Sequence, residues 1–334
     1  IDFARSKGWF SGEDSEFSFR DAYCPADFGA LRGCEARVWS AFNILSHGWF
    51  TFEETKGNLV TKDAYSYVDY AMGHNPDNRM PLWIKPAKKV TVKNVADVMR
   101  DHYEGTPMDM TTDIGAGGNA LPYRWRPMDF EYEGKKYTNE RAIATQQTGF
   151  WFVGQARGNY PDVIGGILWF GTDDAATSYV TPIYSNTEKV PECFRQGNGN
   201  LLSYSATSSF WINNRISNAC YRMYNIMAPY VRERIDKFEN EQMEKVRQND
   251  VKALELFKKS MDSAEKVGKK KSLAYDVMTD TGASFAAVKR LLTSYSVKTA
   301  QDIFKQWQEL EVTLTVKFID GNVKAQNADG SFKH

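Results

Sequence analysis

Apolar positions change their period along this chain. Behind Asp27, the segment FGALRGCEARVWSAFNIL places Leu31, Cys34, Val38, Phe42 and Leu45 at helical spacing. A second amphipathic helix is predicted over Val92–Tyr103, with Val92, Val95, Val98 and Met99 on one face. The period then shortens. Ala142–Ala156 and Ile164–Phe170 read as strands rich in aromatics and glycine, and Tyr179–Tyr184 as a third. Gly165 and Gly166 imply close backbone approach or a bulge in that sheet. From Ile212 to Lys271 the pattern is helical again, interrupted at Pro229, and Thr281–Gly282 breaks it before a last helix carrying Ile303, Trp307, Leu310 and Leu314.

Between these elements lie the punctuated stretches. IDFARSKGWFSGED reads as a helix end broken at Gly8, with a turn at Ser11–Asp14, and Tyr70–Pro86 is a connection built from Gly, Asn and Pro. The tail DGNVKAQNADGSFKH is polar and is expected to fray. A mixed first half, strands in the middle and helices at the end predict an α+β fold rather than alternating βαβ units. The expected organisation is a mixed core over 1–211, a mainly helical region over 212–320 packed on it, and a polar tail over 321–334.

Composition changes this picture little. The 334 residues suffice for one large domain or two ordinary ones. Forty-two basic residues balance forty-two acidic ones, so no global field recruits nucleic acid or an anionic membrane. No run approaches the roughly 18 apolar residues of a membrane-spanning helix. Cys24, Cys34, Cys193 and Cys220 are widely spaced and form no C-x-x-C, so buried free thiols are expected rather than a zinc site. The Lys269–Lys271 run is read as a solvated helix end or loop.

Several motifs dissolve on inspection. GAGGNA at Gly115–Ala120 fits G-x-G-x-x-A, but no strand precedes it and Leu121–Pro122 stands where a helix should open, so a flexible loop is expected. Ser263–Lys266 spells S-x-x-K in a lysine-rich helix without its partner motifs. His47, His74, His102 and His334 never occur as H-x-x-x-H, which leaves a zinc hydrolase without ligands; no cofactor is expected. His74 reads as a turn residue and His102 as a helix-end residue. Asp173 and Asp174 come directly after the Ile164–Phe170 strand. Such a pair could do acid–base work, cap the next turn together with Thr172 and Thr177, or bind a substrate ammonium, and the last two fit better. Gln146, Gln147 and Thr148 interrupt an apolar run and either line a peptide cleft or tie a sheet network together.

DHYEGTP, PYRWRP at Pro122–Pro127, ATQQTGF, and IGGILWFGTDDAAT at Ile164–Thr177 succeed one another in this order, with Arg124, Arg126, Arg141, Asp173 and Asp174 in the loops. This block resembles the cysteine dipeptidases of the peptidase D type, relatives of secernins among the N-terminal-nucleophile hydrolases. The resemblance implies a four-layer αββα sandwich, incomplete at its N-terminal end, with C-terminal helices and with the two main strands as antiparallel neighbours. It implies metal-independent hydrolysis of dipeptides by an N-terminal cysteine, whose own α-amine acts as base. That cysteine is absent here, since the chain begins at Ile1 and Cys24 and Cys34 are internal. The chain is therefore expected to be the C-terminal part of a longer enzyme, inactive alone, with the upstream segment of the same protein and a dipeptide as partners and a homo-oligomer possible. Arg37 matches a helix-opening arginine of related amide hydrolases, where a guanidinium favours the thiolate; its alternative is an ion pair with Glu35 or another carboxylate on the helix surface. YAMGHNPDNRMPLWIKP resembles the exported branch, which implies a periplasmic or extracellular enzyme, the alternative being cytoplasmic. A non-catalytic peptide- or partner-binding protein, or a hydrolase of another small amide such as a bile salt or penicillin, is the alternative function.

Overall fold

The computed structural model describes residues 1–24, 26–125, 128–266, 285–331 and 333. Arg126, Lys269–Lys271, Thr281–Gly282 and His334 lie outside the described residues. The chain forms two compact units, Ile1–Thr111 with Arg124–Ile143, and Thr112–Tyr123 with Ala144–His334. Among the described residues every strand pairing is antiparallel, so the fold is α+β.

The first unit opens with short helices α1 (Asp2–Ser6) and α2 (Phe19–Tyr23). Asp27 then starts the expected long helix, its carboxylate accepting from the Ala30 N–H at 2.7 Å. That helix is compound. α3 (Phe28–Ala30) runs into a π-helical turn at Leu31–Glu35 and continues as α4 (Ala36–Ser46). His47 ends it in the left-handed conformation. Two hairpins come next that apolar spacing does not predict. β1 (Trp49–Thr55) pairs with β2 (Asn58–Asp63), and β3 (Asp129–Tyr132) pairs with β4 (Lys135–Thr138). At the second, Glu133 and Gly134 both have positive φ, as a two-residue hairpin turn requires. Between the hairpins lie α5 (Val68–Ala71) and α6 (Val92–Met99), the latter opened by a Thr91–Asn94 capping box. α6 stops short of the expected Tyr103. The core gathers Leu31, Trp39, Phe50, Tyr67, Tyr70 and Tyr103, and the Trp39 indole N–H donates to the Ala64 carbonyl at 2.8 Å.

The second unit holds a sheet in the order β5–β6–β7: β5 (Phe150–Ala156), β6 (Gly166–Thr172) and β7 (Thr181–Tyr184). The expected strand Ala142–Ala156 begins only at Phe150. Ahead of it, Thr148 folds back through its N–H and hydroxyl onto the Thr145 carbonyl, a side-chain turn that replaces ladder bonds. The glycines of β6 are needed for contact. A Cβ on Gly166 would lie 2.6 Å from Ser185 Oγ, and one on Gly171 would lie 2.5 Å from the Tyr179 carbonyl. One-turn α7 (Asp162–Gly165) precedes β6. The GAGGNA segment lies in a 3-10 turn at Ile114–Asn119 opened by Asp113, in place of the expected flexible loop.

Three helices complete the unit: α8 (Ser209–Cys220), α9 (Tyr224–Lys266) and α10 (Ala286–Lys317). Pro229 does not interrupt α9. It sits near the helix start, where it removes one intrahelical bond, and buried Met227, Val231 and Ile235 hold the helix together through it. These side chains meet Ile212, Ile216, Ile303, Trp307 and Leu314 in one apolar core. Tyr179 joins it edge-on to Trp307, with ring centroids 4.7 Å apart. Residues on both sides of position 211 thus share this unit.

Candidate active site

In the second unit, the end of β6 runs into a buried polar network on α8. Asp173 adopts φ +67°, a left-handed backbone that Asp tolerates better than most residues. Its carboxylate accepts from Asn214 Nδ2 at 2.9 Å and from Ser217 Oγ at 2.7 Å, while Thr177 Oγ1 lies 2.7 Å from the same Ser217 hydroxyl. Beside it, Asp174 accepts from the Ala176 N–H and from the Tyr221 hydroxyl, both at 3.0 Å. Tyr123 packs edge-on against Tyr221 and Tyr224. Both carboxylates are buried, at 1% and 0% exposure. Burial raises the Asp173 carboxyl from 3.8 to about 6, against the opposing pull of the Asn214 and Ser217 hydrogen bonds. Burial also pushes the Tyr123 and Tyr221 hydroxyls well above the usual phenol range, and the charge of Asp174 adds to this.

The network reaches the QQTG segment through the backbone: the Asp173 N–H donates to the Gly149 carbonyl at 3.0 Å. Gln147 is exposed in that turn and Gln146 half-buried. Four of the five candidate residues, Gln146, Gln147, Asp173 and Asp174, therefore belong to two segments of the second unit joined at Gly149. Both carboxylates accept hydrogen bonds from within the fold.

Arg37 lies in the first unit, half-buried on α4. Glu35 pairs with Arg20 at 3.0 Å rather than with Arg37. Arg37 Nε instead donates to the Arg141 carbonyl at 3.1 Å, and the Tyr103 hydroxyl donates to the same oxygen at 2.7 Å. Tyr103 is fully buried and has φ +67°, a strained backbone of the kind that clusters at functional sites. It belongs to the DHYEGTP segment, which is folded on itself. Glu104 accepts from the His102 backbone N–H at 2.7 Å and meets its ring Nδ1 at 3.0 Å, while Asp109 accepts from the Gly105 and Thr111 N–H groups at 2.9 and 2.8 Å. His102 is thus a buried loop residue beyond the end of α6. Asp101, next to it, accepts from Ser40 Oγ at 2.7 Å, and its carboxyl is raised by burial to about 6.

The thiols divide by burial. Cys24 and Cys34 are exposed, whereas Cys193 and Cys220 are buried free thiols. Burial pushes the Cys193 thiol up to about 12 and Cys220 beyond it, which removes both as nucleophiles at neutral pH. Among the described residues no group of three or more His, Cys, Asp or Glu side chains could hold a metal ion, and no helix is long and apolar enough to cross a membrane.

Residues 1–241 match the model of peptidase family C69. The match covers well over half of the chain and includes the DHYEGTP, QQTG and Asp173–Asp174 segments. The chain belongs to peptidase family C69. Within this family setting, the chain is similar to the probable dipeptidase B of Lactococcus lactis subsp. lactis (strain IL1403), at 24% identity over 140 residues. That alignment covers 42% of this chain and 25% of the relative. The C69 match ends at residue 241, so most of α9 and all of α10 lie beyond it.

Sequence reasoning missed Tyr103, Tyr123, Tyr221 and the α8 partners Asn214 and Ser217. A signal for the last was present. Ser209, Asn213 and Ser217 recur at every fourth position between the apolar residues Ile212 and Ile216, a buried polar stripe with a helical period.

Proposed function

We propose that the complete protein is a metal-independent dipeptidase whose nucleophile is a cysteine at the mature N-terminus, upstream of Ile1. The observation that carries this is the C69 match over residues 1–241, together with similarity to a protein named as a probable dipeptidase. In this mechanism the free α-amine takes the thiol proton and the thiolate attacks the peptide carbonyl. The leaving amine departs with a proton, and water hydrolyses the acyl-thioester. None of the four cysteines present is placed for this role. Two are buried with raised thiols, and the exposed pair, Cys24 and Cys34, carries no free α-amine.

Arg37 is the proposed support for the thiolate or oxyanion. It makes no ion pair among the described residues, and its hydrogen bond through Nε to the Arg141 carbonyl orients it. Gln146 and Gln147 are the proposed contacts to the dipeptide. For the fold, the finer proposal is the four-layer αββα sandwich, with further strands supplied from upstream. Its support is the outer face of the β5–β7 sheet, where Phe150 and Phe152 are 62% and 51% exposed and Leu168 is 37% exposed. An uncovered apolar sheet face normally has a partner, and β5 is an edge strand. Export to the periplasm or the exterior, with cleavage of a leader exposing the cysteine, is proposed on the resemblance of YAMGHNPDNRMPLWIKP to the exported branch, the alternative being cytoplasmic.

The test is dipeptide hydrolysis by the product of the complete gene, with and without a thiol alkylator and with and without a chelator. Turnover abolished by the alkylator and indifferent to the chelator is expected. Binding of dipeptides without turnover selects a non-catalytic binding protein, and turnover lost on chelation overturns the metal-independent mechanism.

A further inference from the structure

The Asp173 network is larger than a strand end needs. Capping β6 takes one or two hydrogen bonds. Here Asp173, with Thr177 behind it, commits two side chains of α8 and a backbone bond to a separate turn, while holding a left-handed backbone with a buried carboxylate. The turn at residues 145–149 is closed locally by Thr148 on Thr145, and the Asp173 N–H to Gly149 carbonyl bond at 3.0 Å ties it to the end of β6. That N–H is aimed by the φ of Asp173, and this φ is in turn held by Asn214 at 2.9 Å and Ser217 at 2.7 Å from the carboxylate.

We propose that Asp173 is a positioning residue for the dipeptide site, locking the QQTG turn onto β6 and α8 so that Gln147 is presented to the substrate. This rests on the dipeptidase reading above and adds to it a specific division of labour. Gln147 touches the dipeptide, and Asp173 acts only through the turn. Nothing about Asp173 requires contact with substrate, since its side chain is buried.

The network carries a built-in acid dependence. The groups that face Asp173 are Asp174 on its own segment, neutral Asn214 and Ser217 on α8, and Tyr221 just beyond α8, whose hydroxyl is held by Asp174. Among the described residues, Asp173 itself makes no ion pair. A proton on Asp173 converts one acceptor into a donor, so the Ser217 hydroxyl must redirect its own proton, for which the Asn213 carbonyl lies at 2.9 Å, and the hold on the carboxyl changes. Because the carboxyl sits at about 6, this happens in a mildly acidic range where exposed carboxylates stay charged.

The experiment compares the full-length enzyme with its Asp173→Asn and Ser217→Ala variants in steady-state hydrolysis of dipeptides between pH 5 and 8. Hydrogen exchange at residues 146–150 is followed in parallel. In the parent enzyme KM is expected to climb as pH falls through about 6. Asp173→Asn should raise KM about fivefold at pH 7, hold kcat within about twofold and lose the acid limb, the pattern of misplaced ground-state binding. Ser217→Ala, which keeps the carboxylate, should raise KM in the same direction and retain an acid limb. Both should speed exchange at residues 146–150 while α9 and α10 stay protected. If Asp173→Asn fails to fold, Ser217→Ala decides the matter alone. Parent-like KM at every pH, or a fall in kcat with KM unchanged, overturns the positioning role and leaves the dipeptidase reading standing. A full-length enzyme that turns over no dipeptide removes both.

Discussion

Helix α8 buries two stripes, and they are held by different physics. Ile212, Ile216 and Cys220 face the apolar core with Met227, Trp307 and Leu314. Ser209, Asn213 and Ser217, one position further along each turn, face Thr172, Asp173, Thr177 and Tyr179 through hydrogen bonds of 2.7–3.2 Å. The apolar stripe is stabilised by area and volume and tolerates exchange of one aliphatic for another. The polar stripe gains little net energy per bond, but each donor left without its acceptor is costly, so it fixes one geometry. Stability and site geometry therefore separate along one helix.

Substitutions on the two sides should separate in the same way. The largest effect belongs to the apolar side, where Trp307→Ala should lower unfolding stability by about 3–5 kcal/mol, measured by urea denaturation. A smaller cost there would mean that the pocket collapses around the missing ring. Next is the pH dependence of the polar side. The Asp173 carboxyl is raised in the folded state, so the fold binds its proton more tightly than the unfolded chain does. Its contribution is fully present below about pH 4 and is lost as pH rises through about 6, an effect of up to about 3 kcal/mol. Asp101 titrates in the same direction. The difference in stability between parent and Asp173→Asn, followed from pH 4 to 7, isolates the Asp173 part, and a constant difference would refute its assignment. Asn213→Ala should cost about 1–3 kcal/mol, because its Nδ2 holds the Thr172 hydroxyl at 3.0 Å and the Ser209 hydroxyl at 3.3 Å. The smallest effect is expected away from α8. Asp27→Ala removes the cap of α3 and should cost about 1 kcal/mol by the same melts.

Much of the fold was legible because periodicity reports burial. The helices of Leu31–Leu45, Val92–Met99 and the C-terminal region emerged from apolar spacing, as did strands β5 and β6, whose antiparallel pairing was what the family resemblance implied. Both hairpins escaped because Lys56–Gly57 and Glu133–Gly134 are weaker turn signals than Asn-Gly; β2, β3 and β4 are largely exposed, and the alternation in β1 is limited to buried Phe50 and Phe52. Pro229 looks like a break in sequence and is none in the fold, since its effect depends on how near the helix start it falls. For the site, the Asp173–Asp174 pair stands out by eye, but its burial does not, because that depends on α8 folding back over it. Arg37 was found and its partner was not. The Arg141 carbonyl is a backbone group 104 positions away, and side-chain pattern carries no trace of it.

The account's central claim is an N-terminal cysteine nucleophile upstream of Ile1, and labelling tests it most directly. The mature full-length enzyme is treated with one equivalent of a thiol alkylator, its residual dipeptidase activity is followed, and the modified residue is located by peptide mass mapping. The account predicts activity lost in proportion to label on an N-terminal cysteine, with Cys193 and Cys220 unlabelled in the folded protein. Activity lost in step with label on Cys24 or Cys34, or full activity with the N-terminal residue blocked, would contradict it.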